Sequence, residues 1–141
     1  MTRSGYDTFE HGADVGVRGW GRTPEEAFAN AARAMFSVMT DDLDGVAPGE
    51  AVAIEAQGFD RESLLVDWLN RLLTQSAINR LLFAEFEVRF EGEDRLHGEA
   101  RGERYDPRQH REGVEVKGAT FSQLEVSERD GIWTAQCIVD V

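Results

Sequence analysis

The chain is poor in the residues that small secreted or membrane proteins rely on. It has one cysteine, Cys137, in 141 residues, so no internal disulfide can form, and a reducing compartment is expected. No apolar run approaches the roughly 20 residues of a membrane helix. The N-terminal segment MTRSGYDTFEHG has no apolar core of the signal-peptide kind, which adds to a cytoplasmic expectation. Basic residues are scarce too: 15 Lys and Arg stand against 27 Asp and Glu, a net charge of −12. Sequence-independent binding to phosphates needs clustered Lys and Arg, and no such cluster occurs, which argues against direct nucleic-acid binding. Also missing are a P-loop, a Gly-x-Ser-x-Gly elbow, an aromatic stacking motif of the RRM type and a zinc-ligand spacing; His11, His97 and His110 are far apart.

What is present is an ordinary globular composition, 41% hydrophobic and 30% charged, over the length of one domain, residues 1–141. Tyr6 to Gly21 reads as strand, with Val15 and Val17 alternating with Gly16 and Arg18. Thr23-Pro24-Glu25-Glu26 then starts a helix: a capping hydroxyl, a proline at the first helical position and a glutamate three residues after the cap. Phe28, Ala31, Ala32, Met35, Val38 and Met39 give it an apolar face ending near Thr40. Ala51 to Gly58 alternates weakly as a strand. Asp60 is a cap for a second helix with a stripe of Leu64, Leu65, Trp68, Leu69, Leu72 and Leu73, read as core; Asp67 on that helix is read as a solvated or capping charge.

Strands are expected over Glu85–Glu91 and Arg95–Glu103, joined by a turn at Gly92-Glu93-Asp94. A turn at Asp106-Pro107 precedes two last strands, Val114–Ser127 and Ile132–Val141, joined by a hairpin at Asp130-Gly131. This order predicts an α+β fold: two helices packed on one face of a mixed, mostly antiparallel sheet in a single compact domain.

The chain stops inside a strand, at Ile138-Val139-Asp140-Val141, which puts the Asp140 carboxylate one residue from the terminal carboxylate. Two readings stay open from the residues alone: a hard-cation site, if another carboxylate converges on the pair, or two solvated charges at a free end.

Several separated segments resemble the archease family. His11-Gly12-Ala13-Asp14-Val15-Gly16 followed by a helix closing on Phe36-Ser37-Val38-Met39-Thr40-Asp41 is similar to the family's opening. ESLLVDWLNRLL resembles its second helix, GVEVKGATFSQLEV its Glu-Val-Lys segment, and WTAQCIVDV its terminal strand. Departures are Gly12 in place of Thr, Gly118 in place of Ala, and the Phe121-Ser122 pair; none removes a charged group.

The resemblance implies an accessory role, as activator or chaperone, for the RtcB-type tRNA-splicing ligase. That manganese enzyme is activated by GTP and joins RNA ends bearing 3′-phosphate or 2′,3′-cyclic phosphate to 5′-hydroxyl ends. The family promotes guanylylation and multiple turnover and carries a divalent cation, expected to be Ca2+ with Mg2+ or Mn2+ as alternatives. By position, the resemblance makes Asp14, Asp140 and Val141 the metal ligands. It places Glu115 and Lys117 near them as residues acting on the ligase. RNA would be met only through the ligase, with no membrane partner. Lys117 has a second reading, neutralising the acidic group, and His11 is read as a strand residue rather than a ligand. The rival reading of the whole chain is a metal-dependent hydrolase or phosphotransferase acting in its own right, with Asp14 as base or nucleophile.

Overall fold

Local chemistry sets the elements first. In the computed structural model, which describes residues 3–106, 110 and 113–141, β1 (Gly5–His11) turns back on β2 (Asp14–Gly21) through Gly12 and Ala13. Gly12 alone of these two has a positive φ, +60°, the pattern of a tight type II′ hairpin that glycine enters without strain. Helix α1 (Pro24–Met39) begins as its sequence demands, with Thr23 Oγ1 accepting the Glu26 amide at 3.1 Å and Pro24 in the first turn. The Glu26 carboxylate reaches back one residue further than a standard capping box, to the Arg22 amide at 3.1 Å. Helix α2 (Arg61–Asn79) has the full reciprocal box between Asp60 and Ser63.

The remaining strands are β3 (Glu50–Gln57), β4 (Leu81–Glu91), β5 (Arg95–Arg104), β6 (Gly118–Ala119), β7 (Glu125–Arg129) and β8 (Ile132–Asp140). They form two sheets. One has the order β1-β2-β8-β6, with β7 also on β8, and the other the order β3-β5-β4. All pairs among the described strands are antiparallel. The α+β expectation holds, with the expected sheet divided in two and helix α1 packed against both β2 and β4.

Two strand boundaries differ from the sequence reading. β4 starts at Leu81, not Glu85, because Leu81 to Ala84 are all buried and so carry no alternation; a register shift separates them from the alternating part. The expected strand Val114–Ser127 is two short ones. Ala119 lies opposite Val139 and Glu125 opposite Gln136, so six steps on this edge span three on β8, and Gln123 takes φ +52° in the looped-out part. The Asp130-Gly131 hairpin is as expected, both residues at positive φ, the type I′ pattern. The turn expected at Asp106-Pro107, within YDPRQHREG, falls partly outside the described residues.

The two layers meet at Trp68. Its side chain is fully buried, and its indole N–H donates to the Phe28 carbonyl of α1 at 3.1 Å. Phe86 meets the ring edge-on, and Gly98 lies under it so closely that a β-carbon there would sit 2.6 Å from Cζ3. Gly19 does the same for α1: a β-carbon would overlap the Ala31 amide and the Ala27 carbonyl, so the helix backbone rests directly on β2. Removing a buried tryptophan leaves a cavity and costs about 3–5 kcal/mol. The Trp68→Ala protein should therefore lose about that much unfolding free energy in urea titrations; a loss below about 1 kcal/mol would show that Trp68 does not join the layers.

Candidate cation site at the joined chain ends

The last strand does not fray, because it is interior. β8 has β2 on one side, from Val15 opposite Val139 to Gly21 opposite Trp133, and β6 and β7 on the other. Ala135, Cys137 and Val139 point into the core, as the alternation along the strand predicts. One step beyond the Val15–Val139 pair, the same register puts Asp14 across from Asp140, and facing positions of an antiparallel pair share a sheet face. The Val141 amide then donates to Asp14 Oδ1 at 3.3 Å, closing a contact between residues 127 apart in sequence.

The far side of the same strand end is held by the segment after Gly113. The Gly113 and Val114 amides donate to the Met39 and Val38 carbonyls at the end of α1, Val116 is buried, and the Lys117 amide donates to the Asp140 carbonyl at 2.8 Å. Asn70 of α2 completes the hold. Its side-chain amide donates to the Ala119 carbonyl at 3.2 Å and accepts the Ala119 amide at 2.8 Å, so it pairs with β6 as a strand backbone would.

Of the residues singled out from sequence, Asp14, Asp140 and Val141 are brought together, and Lys117 joins them through its main chain. Glu115 is exposed two residues before Lys117 and lines a separate cavity with Met39, Leu81 and Val114. His11 is exposed at the hairpin end, opposite Asp14 in register. Asp67 proves to be a cap of a kind: Oδ2 accepts the Gln57 amide at the end of β3, 2.9 Å away, and Arg71 lies 3.5 Å from the same oxygen. Asn70 was not singled out from sequence. Its only signal there is a polar side chain set inside the apolar run Trp68-Leu69-Asn70-Arg71-Leu72.

The donor chemistry fits a hard cation in kind. Asp14, Asp140 and the backbone of Val141 all offer oxygen donors, the kind that calcium or magnesium prefers. They fall short of the six to eight oxygens of a complete calcium shell, and among the described residues no three His, Cys, Asp or Glu side chains gather as a metal site. Water or a partner's groups would have to complete the shell. The histidines serve elsewhere. His97 lies between Glu91, 2.7 Å from Nε2, and Glu55, 3.3 Å from Nδ1, and its hydrogen bond to Glu91 leads the causes that raise its pKa. His110, buried, accepts the Asp106 amide at Nδ1 and meets Glu103 at Nε2 at 2.8 Å, a bond that holds the Glu103 carboxyl below its usual range.

A model of the archease protein family matches residues 6–141. The chain belongs to the archease family. The archease of Methanopyrus kandleri is 42% identical over 139 residues, covering 96% of this chain and 99% of that protein. That of Sulfolobus acidocaldarius is 37% identical over 142 residues and matches end to end, with 100% of each chain covered. The archease fold recurs in the solution structure of Methanobacterium thermoautotrophicum protein 1598, with a TM-score of 0.82, 40% identity, and 97% and 99% of the two chains covered. A Thermotoga maritima crystal structure, described as an archease and possible chaperone, shares the fold at a TM-score of 0.60 and 18% identity, over 94% of each chain.

Burial pushes the Cys137 thiol up to about 12, which removes it from redox or ligand chemistry in the folded protein. A thiol reagent such as DTNB at pH 8 should leave the native chain untouched and titrate one thiol after unfolding in guanidinium. Rapid reaction of the native chain would contradict the placement of β8.

Proposed function

We propose that the chain is an accessory protein of an RtcB-type tRNA-splicing RNA ligase, promoting its GTP-dependent guanylylation and allowing each ligase molecule many turnovers. The observation that carries this reading is the junction of Asp14 with Val141 in a chain of the archease family, because it gathers the carboxylates that the family resemblance assigns to a cation. Asp14, Asp140 and the Val141 carboxylate would hold a divalent cation, Ca2+ or in its place Mg2+ or Mn2+. When bound, that cation supplies positive charge for phosphate oxygens.

The chain's own residues then have distinct tasks. The Val141 amide orients one oxygen of the Asp14 carboxylate. Asn70 and the Lys117 amide fix the strand end, so the terminal carboxylate is presented from a rigid sheet. Lys117 is exposed and its amide is tied to the Asp140 carbonyl, so its ammonium would offer a point charge to a phosphate or to a ligase carboxylate. The net charge of −12 steers the chain towards a basic partner such as the RNA-binding face of a ligase.

The test uses limiting cognate ligase with GTP, manganese and an excess of RNA bearing 2′,3′-cyclic phosphate and 5′-hydroxyl ends. With the wild-type chain, product should exceed the ligase concentration many-fold. Asp14→Asn, Asp140→Asn and Lys117→Ala should each bring it back towards about one product per ligase. Equal product with and without the wild-type chain would refute the accessory role, and hydrolysis of GTP or RNA by the isolated chain would favour a metal-dependent hydrolase.

A further inference from the structure

A second surface feature lies away from the carboxylates. A cavity of about 760 Å³ opens where the C-terminal end of α2, the end of the β4–β5 ladder and the Gly113–Glu115 run meet. Its floor is apolar, from Met39, Leu81 and Leu82, and its rim carries two guanidinium groups, Arg80 and Arg104. The two arginines are neighbours across the ladder: Arg104 is opposite Leu81, and the Arg80 carbonyl accepts the Tyr105 amide at 2.9 Å. Among the described residues neither has an ion-pair partner, in a chain whose acidic residues outnumber its basic ones by nearly two to one.

The placement of Arg80 sharpens the point. It is the C-cap of α2, at φ 55° and ψ 46°, where glycine is the residue free of strain. Arginine in that conformation is strained relative to glycine, and its exposed side chain lines the groove. The apolar surface also runs past the cavity mouth. Val114, which lines the cavity, is 50% exposed. That extent suits a segment of another protein better than a small ligand enclosed on all sides.

We propose that this groove docks a segment of the ligase carrying an apolar side chain next to a carboxylate, the apolar group entering over Leu81 and Leu82 and the carboxylate pairing with Arg80 and Arg104. The occupant follows from charge: two guanidinium groups without ion-pair partners among the described residues, beside an apolar floor in a chain of net charge −12, select an acid, and their positions set its orientation as well as its contact. Glu115, which also lines the cavity, repels an acid placed beside it rather than beside the arginines. The groove would thus position the chain while the joined ends act on the ligase. This inference rests on the ligase reading of the preceding subsection.

Calorimetric titration of the full-length chain into the cognate ligase separates the two. Failure of the wild type to bind overturns the ligase reading and the groove with it. If the wild type binds, Arg80→Gly should weaken binding at least tenfold while leaving the melting temperature equal or higher, since glycine relieves the backbone. The charge reversal Arg104→Glu should weaken it further, and Glu93→Gln, exposed in the turn between β4 and β5, should leave the affinity within about twofold. Wild-type affinity in the Arg80→Gly, Arg104→Glu double variant overturns the groove alone. Amide shifts at Leu82 and Val114 when GTP is added to the wild-type chain, with ligase binding unchanged in the double variant, would likewise overturn the groove and make the cavity a nucleotide site.

Discussion

β8 can only be an interior strand if both of its edges are filled, and filling them draws in residues from the whole chain. One edge takes β2, the strand that leaves the first hairpin; the other takes β6 and β7, which come just before β8 in the chain. The inward side chains Ala135, Cys137 and Val139 are then sealed under the helices. The outward position at the strand end, Asp140, falls across from Asp14 by register alone. A shift of one residue would exchange the two faces, exposing Cys137 and Val139 and burying Asp140. The hydrophobic pattern of β8 therefore fixes the geometry of the carboxylates.

The helices make that register rigid. α1 lies against β2 at Gly19 without a side chain between, and it also packs on β4, tying the second sheet to the first. α2 reaches α1 through the Trp68 indole and reaches β6 through Asn70. A single helix thus touches the core with one face and steadies the site with another. This is how a mutation at Trp68 or Asn70, neither of them a charged residue, would blur the arrangement of Asp14, Asp140 and Val141.

The parts of this fold legible in sequence are those encoded over three or four residues. Thr23 with Glu26 and Asp60 with Ser63 mark helix starts because a cap bonds to an amide three positions on. Asp130-Gly131 marks a hairpin because both residues tolerate positive φ. Leu81 to Ala84 escaped because a strand buried on both faces has no period to detect. The break between β6 and β7 escaped because glutamine in a left-handed conformation gives no local warning. The meeting of Asp14 with the chain end, 127 residues away, is written in no local pattern; the family resemblance supplied it, and the β2–β8 register gives its physical cause. Asn70 and the Arg80 cap were legible in neither way, since each matters only through what the fold sets beside it.

The claim on which this account turns is that the joined ends form one oxygen-donor site for a divalent cation. Calcium titrated into chelator-treated protein, followed by calorimetry and by amide resonances, tests it most directly. The account predicts one saturable site, with shifts centred on Asp14, Lys117, Asp140 and Val141, and loss of that site in an Asp14→Asn, Asp140→Asn protein of unchanged fold. Absence of saturable binding, or binding undiminished in the double variant, would contradict it.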